Sequence, residues 1–374
     1  MRVLIAPDKF AGTLSAVEAA NAIADGWSRR APEDDLTLAP MADGGPGFVD
    51  VLHAALGGEL RVVTVRGPLG DAVPVTMLVT DRDAGDRTVY LESSQACGLH
   101  LVAADRRDPE SATTVGVGEA LIAALDLSPG RIVVGLGGSA TNDAGAGMLA
   151  ALGATADGPL DRGPRHLAGV GSVSVDAARQ RFEGVELVLA SDVDNVLLGM
   201  FGATNAFGAQ KGLEDDARQR VDRVLDGFVD AVCGSSPAER RVADAAGSGA
   251  AGGLGFALLL LDGTRCSGIA LVIEATGLAG RTAEHDIVVT GEGAYDFSSG
   301  SGKVVHGVAQ LATQAVRPCV VLAGQVLVGS REMRAMGIEA AYSVVELVGE
   351  HAALEDPYAS LRQLASRVAR TWSF

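Results

Sequence analysis

The chain is poor in cysteine, aromatic residues and lysine, and each shortage excludes something. Its four cysteines (Cys97, Cys233, Cys266, Cys319) are scattered through 374 residues with no pair at metal-ligand spacing. They read as reduced, mostly core-packed thiols of a cytoplasmic protein, not as a disulfide framework. The six histidines include no i, i+4 pair and no cysteine partner, so no transition-metal site is legible. The longest strongly apolar stretch, 255–261, cannot span a bilayer, and the apolar run opening the chain is too short for a signal peptide. Aromatics are only 4% of residues, against 49 glycines and 48% hydrophobic residues. That balance suits an alanine-, valine- and glycine-rich α/β enzyme better than an all-β binding module.

Positive charge is also short. A formal net charge of -17 argues against nucleic acid or an anionic membrane as the principal partner. An anionic ligand therefore needs a locally positive site, and each lysine beside a glycine motif carries more weight. No exposed amphipathic stripe predicts an interface, which leaves monomer and homodimer both open.

The length points to two domains. Short apolar runs at 2–6 and 36–39 alternate with helical patterns, and Ser15 with Glu18 forms a capping box at the head of the first helix. Runs at 287–290, 319–323 and 341–346 restore the alternation near the C-terminus. Between them, strands at 62–65, 73–79 and 88–92 are separated by turn signals at 67–70 and 83–85, which predicts hairpins and a mixed sheet. The expected architecture is a doubly wound parallel-sheet domain built from 1–66 and 282–374, with a second α/β domain inserted at 67–281.

The segment RIVVGLGGSATNDAGAG (131–147) follows a buried strand with Gly135, Gly137 and Gly138. Glycines there let the backbone approach an anion. Ser139, Thr141 or Asn142 could cap a helix whose N-terminal amides attract phosphate. The match to a dinucleotide fingerprint is weak, because no acid-ended second strand follows at the required distance. Asp192 and Asp194 stand at another strand end, spaced to hold Mg²⁺ and orient a hydroxyl. Glu292 lies in a Thr-Gly-Glu-Gly run, followed by Asp296 and Gly302-Lys303. Lys9, Lys211 and Lys303 all sit beside glycine-containing loops. Glycine loops, paired carboxylates and a few lysines are the combination that phosphoryl transfer needs.

These residues resemble the bacterial glycerate kinases of the type that makes 2-phosphoglycerate. The resemblance runs through IAPDKFAGTLSA (5–16), PMADGG (40–45), GLGGSATNDAGAGML (135–149), SDVDN (191–195), FGAQKG (207–212), GAAGGLG (249–255) and TGEG with its GK (290–303). It implies a flavodoxin-like domain plus a second α/β domain, an active site in the cleft between them, ATP with Mg²⁺ as donor, and D-glycerate as acceptor. In that scheme Asp192 and Asp194 serve as metal ligand and hydroxyl-positioning base, with Lys303 as a third catalytic group. Asp8, Lys9, Asp43, Glu292 and Asp296 face the acceptor. Gly137, Gly138, Ser139, Thr141, Asn142 and Lys211 hold the nucleotide phosphates. The chain departs from the family pattern at Ala11, Pro46, Val196, Ala294 and Phe297; at Ala11, Pro46 and Ala294 a charged group is lost. Three outcomes follow from that: glycerate kinase activity that survives in variable loops, a kinase retuned to another hydroxylated acceptor, or a ligand-binding homologue with weak turnover.

Overall fold

The computed structural model describes residues 1–10, 12–81, 87–296 and 303–373. Ala11, the 83–85 turn signal, Phe297 and Gly302 lie outside the described residues. In chain order the strands are β1 (Arg2–Ile5), β2 (Asp35–Leu38), β3 (Glu59–Arg66), β4 (Ala72–Asp81), β5 (Arg87–Glu92) and β6 (Arg131–Gly135). They continue with β7 (Thr155–Ala156), β8 (Val173–Ser174), β9 (Glu186–Ala190), β10 (Thr264–Cys266), β11 (Ile287–Tyr295), β12 (Cys319–Val326) and β13 (Ala340–Ser343).

The chain divides into two compact units. The first comprises Met1–Asp43, Asp50–Leu56 and Ile269–Phe374. Its five strands run in the order β13-β12-β11-β1-β2, with every neighbouring pair parallel. Renumbered within the unit, that is the 2-1-3-4-5 order of flavodoxin-like doubly wound sheets. The apolar runs are continuous because a parallel sheet buries both faces: Val3, Leu4, Ile5, Val288, Val289 and Val320 are all buried. The helix Ala16–Arg30 starts at Ser15, whose side chain accepts from Glu18 N while Glu18 caps Ser15 in return. It crosses the helix Pro357–Trp372 so closely that a Cβ on Gly26 would stand 2.1 Å from the Arg362 carbonyl oxygen.

The last strand is shorter than its apolar run suggests. It ends at Ser343, whose hydroxyl accepts from Glu346 N at 3.2 Å and caps the helix Val344–Val348. An N-cap serine terminates the strand where hydrophobicity alone would extend it.

The second unit comprises Gly44–Val49 and Gly57–Gly268. Its six-stranded sheet has the order β10-β9-β6-β5-β4-β3. The β10, β9, β6 and β5 pairings are parallel, whereas β5 with β4 and β4 with β3 are antiparallel hairpin pairs. A small antiparallel pair, β7 with β8, lies outside that sheet. Strand β3, which the sequence reading assigned to the first domain, is the outer strand of this mixed sheet. Helix Gly268–Thr276, assigned to the insertion, and helix Leu278–Glu284, which straddles the expected boundary at 281, belong almost entirely to the first unit. No described helix is long and apolar enough to cross a membrane.

Candidate active site

In a doubly wound sheet, ligands bind beyond the carboxyl ends of the strands where strand order reverses. Here the reversal falls between β1 and β11, and a cavity of about 440 Å³ opens at that point. Asp8, Lys9, Phe10 and Thr13 reach it from the loop after β1, and Glu292, Gly293, Ala294 and Asp296 from the end of β11. Asp43, Lys303 and Glu350 add to the charged lining. Six residues singled out from sequence therefore share one cavity of the first unit.

Close backbone approach shapes this corner. The Asp8 amide donates to the Gly291 carbonyl at 2.8 Å, and Thr290 Oγ1 donates to the Ala6 carbonyl at 2.8 Å. Strand β11 runs on through the Thr-Gly-Glu-Gly segment, pairing with β12 as far as Tyr295 with Val326. A Cβ on Gly291 would lie 2.1 Å from the Leu322 carbonyl oxygen, so only glycine permits that pairing.

Asp8 is buried, and Oδ1 accepts from its neighbour's backbone, Lys9 N, at 2.7 Å. Lys9 Nζ stands 3.5 Å from Asp8 Oδ1 and 3.7 Å from Asp43 Oδ1. Burial pushes the Asp8 carboxyl up to about 6, with the nearby Asp43 charge adding to the rise and Lys9 opposing it. Its titration is thereby brought close to neutrality, where a carboxylate is most useful as a base. Lys303 is the N-cap residue of the helix Val304–Gln314, which places a cation at the mouth of a positive helix end.

The glycine loop after β6 belongs to the second unit, and its interior differs from the sequence reading. Gly138 has φ +64°, and a Cβ there would meet Pro46 Cγ at 2.9 Å. Gly137 is partly exposed and Gly138 exposed, whereas Ser139, Thr141 and Asn142 are buried. Asn142 Nδ2 donates to Thr204 Oγ1 at 2.8 Å. Lys211 is also buried, and its Nζ donates to Ser139 Oγ at 2.9 Å and to the Thr141 carbonyl at 2.6 Å. Burial lowers the Lys211 ammonium to about 8, against the pull of Cys97 and Asp143. The Lys211, Ser139 and Asn142 side chains brace the loop from beneath, and Gly137 and Gly138 are its partly exposed and exposed positions. Lys9, Lys211 and Lys303 are the only three lysines in the chain. Two line the first unit's cavity and the third holds this loop.

Two carboxylates outside the predicted set do similar work. Asp143, fully buried, accepts from Thr114 N, Thr114 Oγ1, Gly145 N and Gly147 N at 2.9–3.2 Å. Burial pushes its carboxyl up in spite of those donors. Glu92 closes β5 opposite Gly135; it accepts from Gly47 N at 2.9 Å and from Ser94 Oγ. It thereby ties the Gly44–Val49 segment to the glycine loop's strand. A strand that ends in an acid within YLESS (90–94) was the available signal.

Asp192 and Asp194 turn to different partners. Asp192 is half-buried and its Oδ1 accepts from Ser267 Oγ at 2.6 Å. The Asp194 side chain is 79% exposed and pairs with Arg265 at 2.7 Å. Among the described residues, no group of three or more His, Cys, Asp or Glu side chains gathers as a metal cage. A Mg²⁺ site built from one or two carboxylates, substrate phosphates and water does not need such a group, and the oxygen donors at Asp192 fit that chemistry.

The sequence profile of the Glycerate kinase family matches residues 3–373. The chain belongs to the glycerate kinase family. Among relatives of this family member, Glycerate kinase of Halalkalibacterium halodurans is 37% identical, over 98% of this chain and 97% of its own length. Glycerate 2-kinase of Escherichia coli is 36% identical, over 93% and 92%. An uncharacterised Mycobacterium bovis protein is 43% identical, over 99% and 91%. The crystal structure of a Salmonella typhimurium protein assigned as glycerate kinase 2 superposes with a TM-score of 0.78 at 34% identity. That match covers 99% of this chain and 98% of the other.

Proposed function

We propose that this family member transfers the γ-phosphoryl group of ATP to the 2-hydroxyl of D-glycerate, giving 2-phosphoglycerate and ADP in the cytoplasm. The observation that carries the reading is the cavity at the sheet's switch point, where Asp8, Lys9, Asp43, Glu292, Asp296 and Lys303 converge. Relatives named glycerate kinase support glycerate as acceptor, and the Escherichia coli relative named glycerate 2-kinase supports the 2-hydroxyl.

Lys9 and Lys303 would meet the acceptor's carboxylate and the transferring phosphoryl group. The acceptor hydroxyl oxygen attacks phosphorus, its proton passes to a carboxylate, and ADP leaves with the electrons of the broken bond. Asp8 would take that proton, since burial brings its carboxyl to about 6 inside the charged cavity. In the second unit the backbone amides of the partly exposed Gly137 and the exposed Gly138 would receive donor phosphates. Ser139, Thr141, Asn142 and Lys211 would keep that loop in shape. Asp192 would hold Mg²⁺, with Asp194 able to join only by leaving Arg265. The bound ion would neutralise phosphate charge as it shifts to the leaving group.

The test is Mg²⁺-dependent ATP consumption with and without D-glycerate, with the product identified by NMR. Glycerate-stimulated formation of 2-phosphoglycerate is expected. The 3-phosphate as product would overturn the regiochemistry, and ATP binding with no glycerate-stimulated turnover would overturn the activity. Full turnover by Asp192→Asn would remove that residue from the mechanism.

A further inference from the structure

The first unit's cavity is larger than a three-carbon acid needs. Its volume of about 440 Å³ falls in the range of about 300–1,000 Å³ that holds drug-sized ligands. Sheet order separates the lining into two chemistries. Along β13-β12-β11-β1-β2, the charged groups Glu292, Asp296, Asp8, Lys9 and Asp43 come from the ends of β11, β1 and β2. At the opposite end, Val344 and Val345 follow β13, and the segment after them adds Ala353, Leu354, Pro357 and Leu361, an aliphatic stretch whose one charged group is Glu350. Leu361 is buried in one core cluster with Phe10 and Val344. Leu354 remains 63% exposed at the rim, the pattern of an apolar wall still open to a ligand.

We propose that this wall receives an apolar substituent of the acceptor, so that the site takes 2-hydroxy acids bearing an aliphatic or aryl group on the third carbon. The inference rests on the kinase reading above and extends its substrate class. The acceptor's carboxylate and hydroxyl lie at the charged end, as glycerate's do, and its substituent runs along Val345, Ala353 and Leu354. Transfer is otherwise unchanged: the hydroxyl oxygen bonds to the γ-phosphorus, the bond to ADP breaks, and the hydroxyl proton goes to a carboxylate.

Charge favours an acceptor here over the nucleotide. The cavity is lined by the carboxylates Asp8, Asp43, Glu292, Asp296 and Glu350 against two lysines. A triphosphate would bring several negative charges among them, whereas a hydroxy acid brings one. An aliphatic wall also matches a hydrocarbon substituent by simple burial.

The experiment compares D-glycerate with D-3-phenyllactate and D-2-hydroxyhexanoate on the full chain, by initial rates with MgATP and by calorimetry without it. At least one substituted acid is expected to reach a kcat/KM within tenfold of glycerate. In Ala353→Phe, which fills the wall, the ratio of substituted acid to glycerate should fall at least tenfold. Leu354→Asp, at an exposed position, should lower the same ratio and guards against misfolding of the first variant. Glycerate turnover without turnover or binding of either substituted acid overturns the inference and leaves the kinase reading intact. If no acceptor is phosphorylated, the kinase reading falls, and calorimetry still decides the wall. Heat of binding that Ala353→Phe abolishes supports it, and no heat overturns it. Displacement of bound phenyllactate by ADP would assign the wall to the nucleoside instead.

Discussion

Asp8 concentrates the electrostatics of the first unit in one side chain. Its carboxyl is raised from an ordinary 3.8 to about 6 by burial, so the folded chain holds the proton more tightly than the unfolded chain does. Below 3.8 both states are protonated and folding carries no penalty from this group. As pH rises toward 6 the unfolded chain releases its proton first and stability falls. A shift of two pKa units corresponds to roughly 3 kcal/mol at most. Asp8→Asn removes the titration, so its stability relative to wild type should rise by about 1–3 kcal/mol between pH 4 and pH 8, measured by urea unfolding at both. The acidic limb of kcat/KM near pH 6 should vanish with it. A limb that persists in Asp8→Asn belongs to another group.

Lys211 has the opposite sign. Its ammonium, lowered from 10.5 to about 8 chiefly by burial, loses its proton more readily in the folded chain. Wild-type stability should therefore rise between pH 8 and pH 10, apart from whatever other groups contribute. Lys211→Met removes that rise and deprives Ser139 Oγ and the Thr141 carbonyl of a donor, which should cost about 1–3 kcal/mol. Denaturant midpoints at the two pH values check both effects; an equal pH slope in variant and wild type would show that Lys211 does not titrate there.

At the scale of elements, the site depends on how closely β11 approaches its neighbours. Gly291→Ala forces a Cβ to 2.1 Å from the Leu322 carbonyl oxygen, and backbone cannot yield as a flexible side chain can. The variant should lose about 1–3 kcal/mol or more and also raise KM for the acceptor, because Asp8 N hydrogen-bonds to this residue's carbonyl. Wild-type stability in that variant would mean that the two strands part without consequence.

The elements that build the sheets were legible because their signals are local. A buried parallel strand shows as a continuous apolar run, and the Ser15–Glu18 box announces its helix. Strand β10 (Thr-Arg-Cys) is only three residues long and polar in two of them, so no periodicity marks it. Direction of burial was the other thing hidden. Thr141, Asn142 and Lys211 look alike in sequence whether they face phosphate or protein. Lys211 finds Ser139 across 72 positions of chain, a partner that no local pattern discloses. Six of the seven charged residues that line the first cavity were recoverable because they follow a strand's carboxyl end or open a helix, and topology fixes where those ends meet; Glu350, the seventh, lies outside the motifs read from sequence.

For the molecule as a whole, the division into two units makes the assignment of donor and acceptor testable without any assumption about chemistry. The first unit carries the charged cavity, and the second carries the glycine loop with its partly exposed Gly137 and exposed Gly138. A ligand that binds one set stabilises the native state of the residues around it by mass action, and local opening reports that residue by residue. Hydrogen exchange with D-glycerate alone should slow amides at 7–14 and 290–296. Exchange with a non-hydrolysable ATP analogue and Mg²⁺ should slow those at 44–49, where Gly47 N already donates to Glu92, and at 135–143, just before the Gly145 and Gly147 amides that Asp143 holds. The acidic background of -17 sharpens the contrast, since the polyanionic donor is repelled by the carboxylates of the first cavity more strongly than the monoanionic acceptor. Nucleotide protection confined to 7–14 and 290–296 would exchange the two assignments, placing the donor phosphates on Lys9 and Lys303 and leaving the glycine loop as a structural turn.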